Sequence, residues 1–298
     1  MIALMMAITS SAFLAHDTGP PGADAPEAAA DARAYAAPPA AGSTPPPASS
    51  EPPAARVDFG AGLAAAEAAA GDSVDLGVAV MDLRTGDLFG SGGEKQYYSA
   101  SLSKLLLVVD VLARRAAGEL ELSDDGLGLV ERALSYSDDG AMDAMWTLFD
   151  GMGAVERVAQ RAGMTGTHPP DDPSQWGEVV VTADDMVRLY HHVLGGGLGA
   201  ADRDLVVDAL AAARQEAADG FDQFFGLLDG AARGDRTAYA KQGWMHYLPN
   251  DVYLHSAGVV EGRYAIAVLT VHSGVSTDTA RSRVADVVSA VLTPLPTT

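Results

Sequence analysis

The stretch at residues 99–109, SASLSKLLLVV, places one lysine at the start of a run that is apolar on every side. Such a run predicts a helix buried in the core of a domain. Burial removes water from the Lys104 ammonium, which favours the neutral amine and lowers its pKa. Ser101 lies three residues earlier and shares a helix face with Lys104, one turn away. A hydroxyl beside a desolvated amine has the composition of an activated nucleophile, so Ser101 and Lys104 are candidate catalytic residues.

The alternative is a serine that caps a helix, followed by a lysine whose ammonium reaches the surface. The Ser-x-x-Lys pattern alone occurs by chance in many proteins. Lysine usage favours the catalytic interpretation, because the chain contains only Lys95, Lys104 and Lys241 and otherwise uses arginine. An arginine cannot serve as a base, whereas a desolvated lysine can.

The first 56 residues differ in composition from the rest. Residues 1–16 are apolar and short for a bilayer span, so we expect a signal peptide or an N-terminal anchor. Residues 17–56 are dominated by Ala, Pro, Gly and Ser, which predicts a disordered tether. Together they predict a protein that is secreted or associated with the cell envelope, with the N-terminal segment as a membrane tether where it is retained.

Residues 57–298 are enough for one catalytic domain. The chain has no cysteine, which excludes disulfides and thiol chemistry. Its formal net charge of −21 repels phosphate backbones and argues against nucleic acid as a partner. We expect a monomer that needs no cofactor and no metal, since the adjacent His191 and His192 point apart on a helix and no second ligand cluster accompanies them.

Strand-like patterns open and close this domain, and helix-like patterns lie between them. Ser123, Thr182 and Ser276 are the expected N-caps of three helices. The pattern predicts an antiparallel sheet built from both chain ends, with flanking terminal helices and an inserted helical subdomain at about residues 100–230. This is an α+β fold. The strands are predicted at residues 76–81, 87–89, 237–241, 252–260 and 264–272.

Two further motifs carry polar residues suited to chemistry. Ser137 falls between two predicted helices, where a short loop can present it to a cleft, although a helix cap is the alternative. The run Lys241-Gln242-Gly243-Trp244 ends a predicted strand, and its glycine lets the backbone approach a ligand closely. The alternative for this run is a solvated strand end followed by a turn.

Taken in order, Ser-x-x-Lys at a helix start, Ser-Asp-Asp between helices and Lys-x-Gly on a late strand resemble the motifs of serine β-lactamases and penicillin-binding proteins. The resemblance to the class A β-lactamase branch covers residues 57–292. It implies that Ser101 is the acylated nucleophile, that Lys104 helps to deprotonate it and that Ser137 relays a proton to the leaving nitrogen. It also implies that Lys241 holds a substrate carboxylate and that the backbone N–H groups of Ser101 and Trp244 form an oxyanion hole.

Two residues depart from the family pattern inside these motifs. Asp139 stands where the family has asparagine, and a carboxylate can only accept hydrogen bonds. Asp139 therefore either pairs with Lys104 and raises its pKa, or selects a substrate that offers an amine. Gln242 replaces a hydroxyl residue, and we expect its amide to donate to a substrate carboxylate. The predicted substrate-binding residues are Asp139, Lys241, Gln242, Gly243 and Trp244.

The third departure is the loop before Thr182. Class A β-lactamases carry there a glutamate that activates the water for deacylation, and residues 166–177 contain no glutamate. The acids available nearby, none in the family's pattern, are Asp171, Asp172 and Glu178.

The sequence therefore predicts an exported serine hydrolase that forms an acyl-enzyme with β-lactams or D-Ala-D-Ala-like peptides and deacylates slowly. Its partner would be a small β-lactam or a peptidoglycan stem peptide. The alternative is a catalytically impaired family member that binds a cell-wall peptide or another protein.

Overall fold

The computed structural model describes residues 57–247 and 249–295 of the chain. The predicted signal or anchor at 1–16 and the predicted tether at 17–56 lie outside the described residues. The strands are β1 (Val74–Asp82), β2 (Leu88–Ser91), β3 (Tyr97–Tyr98), β4 (Val180–Val181), β5 (Ala238–Tyr247), β6 (Asp251–Val260) and β7 (Tyr264–Ser273). The α-helices are α1 (Gly60–Ala70), α2 (Ser103–Ala116), α3 (Asp124–Ser135), α4 (Asp139–Leu148), α5 (Gly151–Ala162), α6 (Ala183–His192), α7 (Ala200–Ala211), α8 (Gly230–Arg233) and α9 (Thr277–Leu292).

Five of these strands form one antiparallel sheet in the order β2-β1-β7-β6-β5. The strands from the start of the domain therefore pair with those from its end, through β1 and β7. Successive side chains on a strand face opposite sides of a sheet, and both sides are covered here. Val78 and Val80 of β1 lie in one core with α1 and α9, while Ala79 and Met81 lie in a second core with the inserted helices. The predicted α+β fold with flanking terminal helices is confirmed.

The helix at the centre of the second core is α2. Its residues from Ser103 to Leu112 are buried, as the apolar run predicts. Asp110 in this helix is also buried, and its carboxylate accepts hydrogen bonds from Arg157 at 3.0 and 2.8 Å and from Arg161 at 3.0 Å. Buried carboxylates require such partners. These bonds tie α2 to α5 and hold the helix that carries Lys104.

The predicted caps are confirmed, whereas the end of one strand was placed wrongly. Ser123, Thr182 and Ser276 each accept a hydrogen bond from a backbone N–H of the first turn of their helices. The segment Lys241–Trp244 does not end a strand but lies in the middle of β5, which continues to Tyr247. Glycine is uncommon inside strands, so Gly243 suggested that the strand ends there. In the structure, pairing with β6 continues through this glycine.

No helix within residues 57–247 and 249–295 is long and apolar enough to cross a membrane.

Candidate active site

Ser101 lies in a one-turn 3-10 helix, Ala100–Leu102, which leads directly into α2. The preceding residue, Ala100, has φ of 46°. A residue with a side chain in this left-handed region carries strain of about 1–2 kcal/mol. Ser137 between α3 and α4 has φ of 53° and is strained in the same way. Such strain often accumulates where a fold holds a side chain in one working position.

The structure brings Ser101, Lys104, Ser137 and Lys241 together. Lys104 Nζ lies 2.6 Å from Ser101 Oγ and 3.4 Å from Ser137 Oγ. On the other side of Ser137, Lys241 Nζ donates to the same hydroxyl at 2.8 Å. The four side chains therefore form a continuous hydrogen-bonded chain, and all of them are buried. This chain can move a proton from the Ser101 hydroxyl toward a group held near Ser137.

Asp139, the first residue of α4, forms an ion pair with the same lysine. Its Oδ1 lies 2.6 Å from Lys104 Nζ, and its side chain is 59% exposed. Burial lowers the pKa of Lys104 below its ordinary value, and the Asp139 carboxylate partly offsets this by stabilising the ammonium. The pairing expected from the sequence is present, and it opposes the neutral amine that a general base requires.

Lys241 reaches Ser137 from β5, the edge strand of the sheet. Its side chain is fully buried and also donates to the Gln242 carbonyl at 2.9 Å. Burial, reinforced by the nearby Lys104, holds the pKa of Lys241 well below its ordinary value. Gly243 brings β5 close to the nucleophile turn, because a Cβ there would lie 2.8 Å from the Ser99 carbonyl oxygen.

The Gln242 side chain is not placed as the sequence led us to expect. Side chains alternate along a strand, so Gln242 points away from the face that Lys241 occupies. Its amide Nε2 donates to the carbonyls of Gln223, at 3.3 Å, and of Phe225. The donor that we assigned to a substrate carboxylate is therefore engaged with the main chain. Gln242 joins β5 to the segment at 223–225 instead.

Ser101 opens onto a cleft of about 260 Å³. Ser101 and Trp244 both line it, and the oxyanion hole assigned to their N–H groups stays a prediction. Asp219, a cleft residue that sequence reasoning missed, accepts from Trp244 Nε1 at 3.0 Å. No motif marks Asp219, because it lies in an irregular segment remote from the others in sequence. The cleft is lined by Ala100, Ser101, Asp139, Ser174, Gln175, Trp176, Gly177, Asp219, Trp244 and Met245.

The loop before α6 covers Lys104 with an aromatic ring. Lys104 Nζ lies 4.5 Å from the centre of the Trp176 ring, within the range of a cation–π contact. Trp176 Nε1 in turn donates to Asp143 of α4 at 2.7 Å. Sequence reasoning assigned Trp176 no role, since an aromatic residue in a loop carries no signal of its own.

The three acids considered for deacylation are absent from the lining of this cleft. Asp172 Oδ1 accepts from the backbone N–H and the hydroxyl of Ser174, at 2.9 and 2.8 Å, which shapes the loop. Glu178 accepts from the Tyr247 hydroxyl at 3.0 Å. Asp171 is exposed and lines a different depression of the surface. None of the three therefore lies where it could activate a water in the cleft beside Ser101.

The histidines contribute no metal centre within the part of the chain that the structure describes, where no group of His, Cys, Asp or Glu has the arrangement of metal ligands. His255 is buried, with Nδ1 accepting from the Thr270 N–H at 3.1 Å and Nε2 lying 2.9 Å from the Tyr98 carbonyl. The first contact leaves the proton on Nε2, which donates to Tyr98. His255 is thus a hydrogen-bonded structural residue.

The chain is similar to the members of one enzyme family. The family model described as "Beta-lactamase enzyme family" matches residues 62–125 and 127–293. A relative named "Putative lipoprotein LppW", from Mycobacterium tuberculosis, is 34% identical over 236 residues, which is 78% of this chain and 73% of the relative.

Solved structures agree with this result at the level of the fold. A β-lactamase from Chitinophaga pinensis matches with a TM-score of 0.65 and 16% identity, covering 76% of this chain and 96% of its own. A β-lactamase from Xanthomonas campestris pv. campestris matches with a TM-score of 0.66 and 17% identity, covering 80% of this chain and 97% of its own. Since the family model covers most of the chain and the relative is 34% identical over 78% of it, this protein belongs to the β-lactamase enzyme family.

Proposed function

We propose that the protein is a serine hydrolase that forms an acyl-enzyme on Ser101 with β-lactams or D-Ala-D-Ala-like peptides. The observation that carries this proposal is the 2.6 Å contact between Ser101 Oγ and Lys104 Nζ at the edge of an open cleft. Ser137 and Lys241 continue the hydrogen-bonded chain. Lys104 is therefore placed to accept the proton of the Ser101 hydroxyl, and Ser137 is placed to pass it on. Membership of the β-lactamase family supports the same chemistry.

The reaction begins when Ser101 Oγ attacks the carbonyl carbon and its proton passes to the neutral Lys104 amine. The carbonyl becomes an oxyanion, which the N–H groups of Ser101 and Trp244 would stabilise. The carbon–nitrogen bond then breaks, and Ser137 passes a proton to the leaving nitrogen while it receives one from the lysines. The product of this half-reaction is an ester on Ser101 with a free amine.

Deacylation is the slow half of the proposed cycle. The ester is released when water attacks the same carbonyl, and that water needs a base. The carboxylates that line the cleft are Asp139, paired with Lys104, and Asp219, bonded to Trp244. Each already accepts from a neighbouring side chain, and the charge of Asp139 is balanced by Lys104, so both are weak bases and we expect the acyl-enzyme to accumulate.

The site of action in this proposal is the cell envelope or the space outside the cell. The predicted leader and tether at residues 1–56 support export, and the name of the LppW relative contains the word lipoprotein. Peptidoglycan stem peptides are the natural amides that this location would offer. Fractionation of cells expressing the full chain should recover it from the envelope or the medium, and recovery from the cytosol alone would contradict this part.

The test of the proposal is mass spectrometry of the intact protein after incubation with a penicillin. We expect a mass increase of one penicillin, located on Ser101 by peptide mapping and absent from the Ser101→Ala variant. Absence of both an adduct and turnover across penicillins, cephalosporins and D-Ala-D-Ala peptides would refute the proposal.

A second candidate function is binding without catalysis, and the Lys104–Asp139 ion pair favours it. At 2.6 Å the carboxylate stabilises the ammonium, which cannot accept a proton from Ser101. Such a protein would bind a cell-wall peptide or another exported protein in the same cleft. Ser101→Ala separates the two functions, because a binding protein should retain its affinity for the peptide and its cellular effect, whereas an enzyme should lose that effect.

A further inference from the structure

The cleft beside Ser101 has an unusual combination of side chains for the recognition of an acyl group. Asp139 and Asp219 are the ionisable residues among those that line it, and both are exposed. Trp176 and Trp244 supply aromatic faces to the same cleft. The lysines lie buried beneath this surface, where Lys104 is bound to Asp139 and Lys241 to Ser137. The surface that a substrate meets therefore presents carboxylates and indole rings.

Asp139 is close enough to the nucleophile to contact the substituent next to the scissile carbonyl. Its Oδ1 and the Ser101 Oγ both lie 2.6 Å from the same nitrogen, Lys104 Nζ. A substrate bonded to Ser101 would thus lie near this carboxylate. Only Oδ1 of Asp139 is engaged within the described residues, which leaves Oδ2 as an acceptor for a ligand.

A carboxylate can only accept hydrogen bonds, so it repels a substrate carbonyl and attracts an N–H donor. A protonated amine offers three donors and a charge, and its bond to a carboxylate is stronger than one between neutral groups. Indole rings attract cations as well. Asp219 adds a second negative charge to the lining of the same cleft. All of these features favour the same chemical group.

We infer that this cleft selects acyl donors that carry a protonated amine on the acyl side of the scissile amide, with Asp139 as its principal acceptor and Asp219 as a supporting charge. The inference rests on the proposed acylation of Ser101. It names the substrate class of that site: amino-substituted β-lactams, and peptides with a free amine close to the bond that is attacked.

The test compares two penicillins that differ in one group. Ampicillin is benzylpenicillin with an amine on its side chain, so the ring, the carboxylate and the scissile amide are shared. We expect the second-order rate constant for acylation of Ser101, followed by mass spectrometry near pH 7, to be about tenfold higher for ampicillin. The ratio should fall to about one in Asp139→Asn and partway in Asp219→Asn.

Glu216→Gln is the matched control, because Glu216 is an exposed acid three residues before Asp219 that does not line the cleft. This variant should keep the wild-type ratio.

Equal rates for the two penicillins, or a preference that persists in both aspartate variants, would overturn the inference while leaving the proposed acylation standing. Absence of any adduct on Ser101 with either penicillin would instead refute the proposed function, and this inference with it. Circular dichroism melting identifies a variant that fails to fold, and the ratio is then read from the other aspartate variant.

Discussion

At the scale of single residues, the proposed mechanism makes Asp139 the residue that controls how much of Lys104 is available as a base. Its carboxylate lies 2.6 Å from the Lys104 nitrogen and raises a pKa that burial lowers. Asp139→Asn removes the negative charge and keeps a side chain of the same size. We expect the rise of the acylation rate with pH to shift toward lower pH, since less stabilisation of the ammonium leaves more neutral amine.

The measurement is the rate of adduct formation with benzylpenicillin between pH 5 and 10. At neutral pH the Asp139→Asn variant should react severalfold faster than the wild type, because a larger fraction of Lys104 is then the neutral amine on the rising limb. The Glu216→Gln variant should follow the wild-type profile. A profile that is unchanged in Asp139→Asn would show that Lys104 is not the group whose titration limits acylation.

Lys104 itself provides a second prediction at this scale. Lys104→Arg keeps a positive charge beside Asp139 but removes a group that can be neutral. We expect acylation to fall by at least about 10³-fold, within the range of losses seen when a general base or its partner is removed. The folded state should survive, which a near-ultraviolet circular dichroism spectrum checks. Acylation within about tenfold of the wild type would assign the base to another group.

At the scale of secondary-structure elements, the site depends on how closely β5 approaches the turn that carries Ser101. Gly243 permits this approach, and a Cβ there would meet the Ser99 carbonyl at 2.8 Å and the Leu102 side chain at 3.2 Å. We expect Gly243→Ala to move the strand outward, to destabilise the fold by about 1–3 kcal/mol and to lower acylation by at least about tenfold. Urea unfolding and adduct formation measure the two effects.

Gly128→Ala is the matched control, because Gly128 lies inside α3 and a Cβ there meets nothing within 4 Å. Alanine is the better helix former by about 0.5–1 kcal/mol, so this variant should be slightly more stable and fully active. Equal behaviour of the two alanine variants would mean that β5 tolerates displacement and that the close approach does not determine the geometry of Ser101.

The elements also show which parts of the site a sequence can reveal. Ser101 and Lys104 were found because their spacing and the apolar run around them are local, and Ser137 because capping residues mark the ends of α3 and α4. Gln242 was misassigned because its partners, the carbonyls at 223 and 225, lie in an irregular segment that no local pattern describes. Asp219 and Trp176 reach the cleft only through tertiary packing, so their roles had no local signal.

At the scale of the whole molecule, the sheet that joins the two chain ends contains buried groups whose protonation affects stability. His255 on β6 and His272 on β7 are fully buried, and burial lowers the pKa of each to about 4. The proton that His255 would gain must go to Nδ1, which accepts the Thr270 N–H, so protonation replaces a hydrogen bond with two opposed donors. The unfolded chain binds these protons near pH 6.5.

The folded pKa values lie below the unfolded ones, so the unfolded state binds more protons between about pH 6.5 and 4. The free energy of unfolding therefore decreases as the pH is lowered through this window. For each histidine the loss between pH 7 and pH 5 should be about 2 kcal/mol. His255→Gln removes one titrating group, so its free energy of unfolding in urea should change about 2 kcal/mol less than that of the wild type between these two pH values. The comparison uses this difference, which cancels any uniform cost of the substitution. An identical pH dependence in the wild type and in His255→Gln would mean that the sheet opens enough to protonate the ring without unfolding.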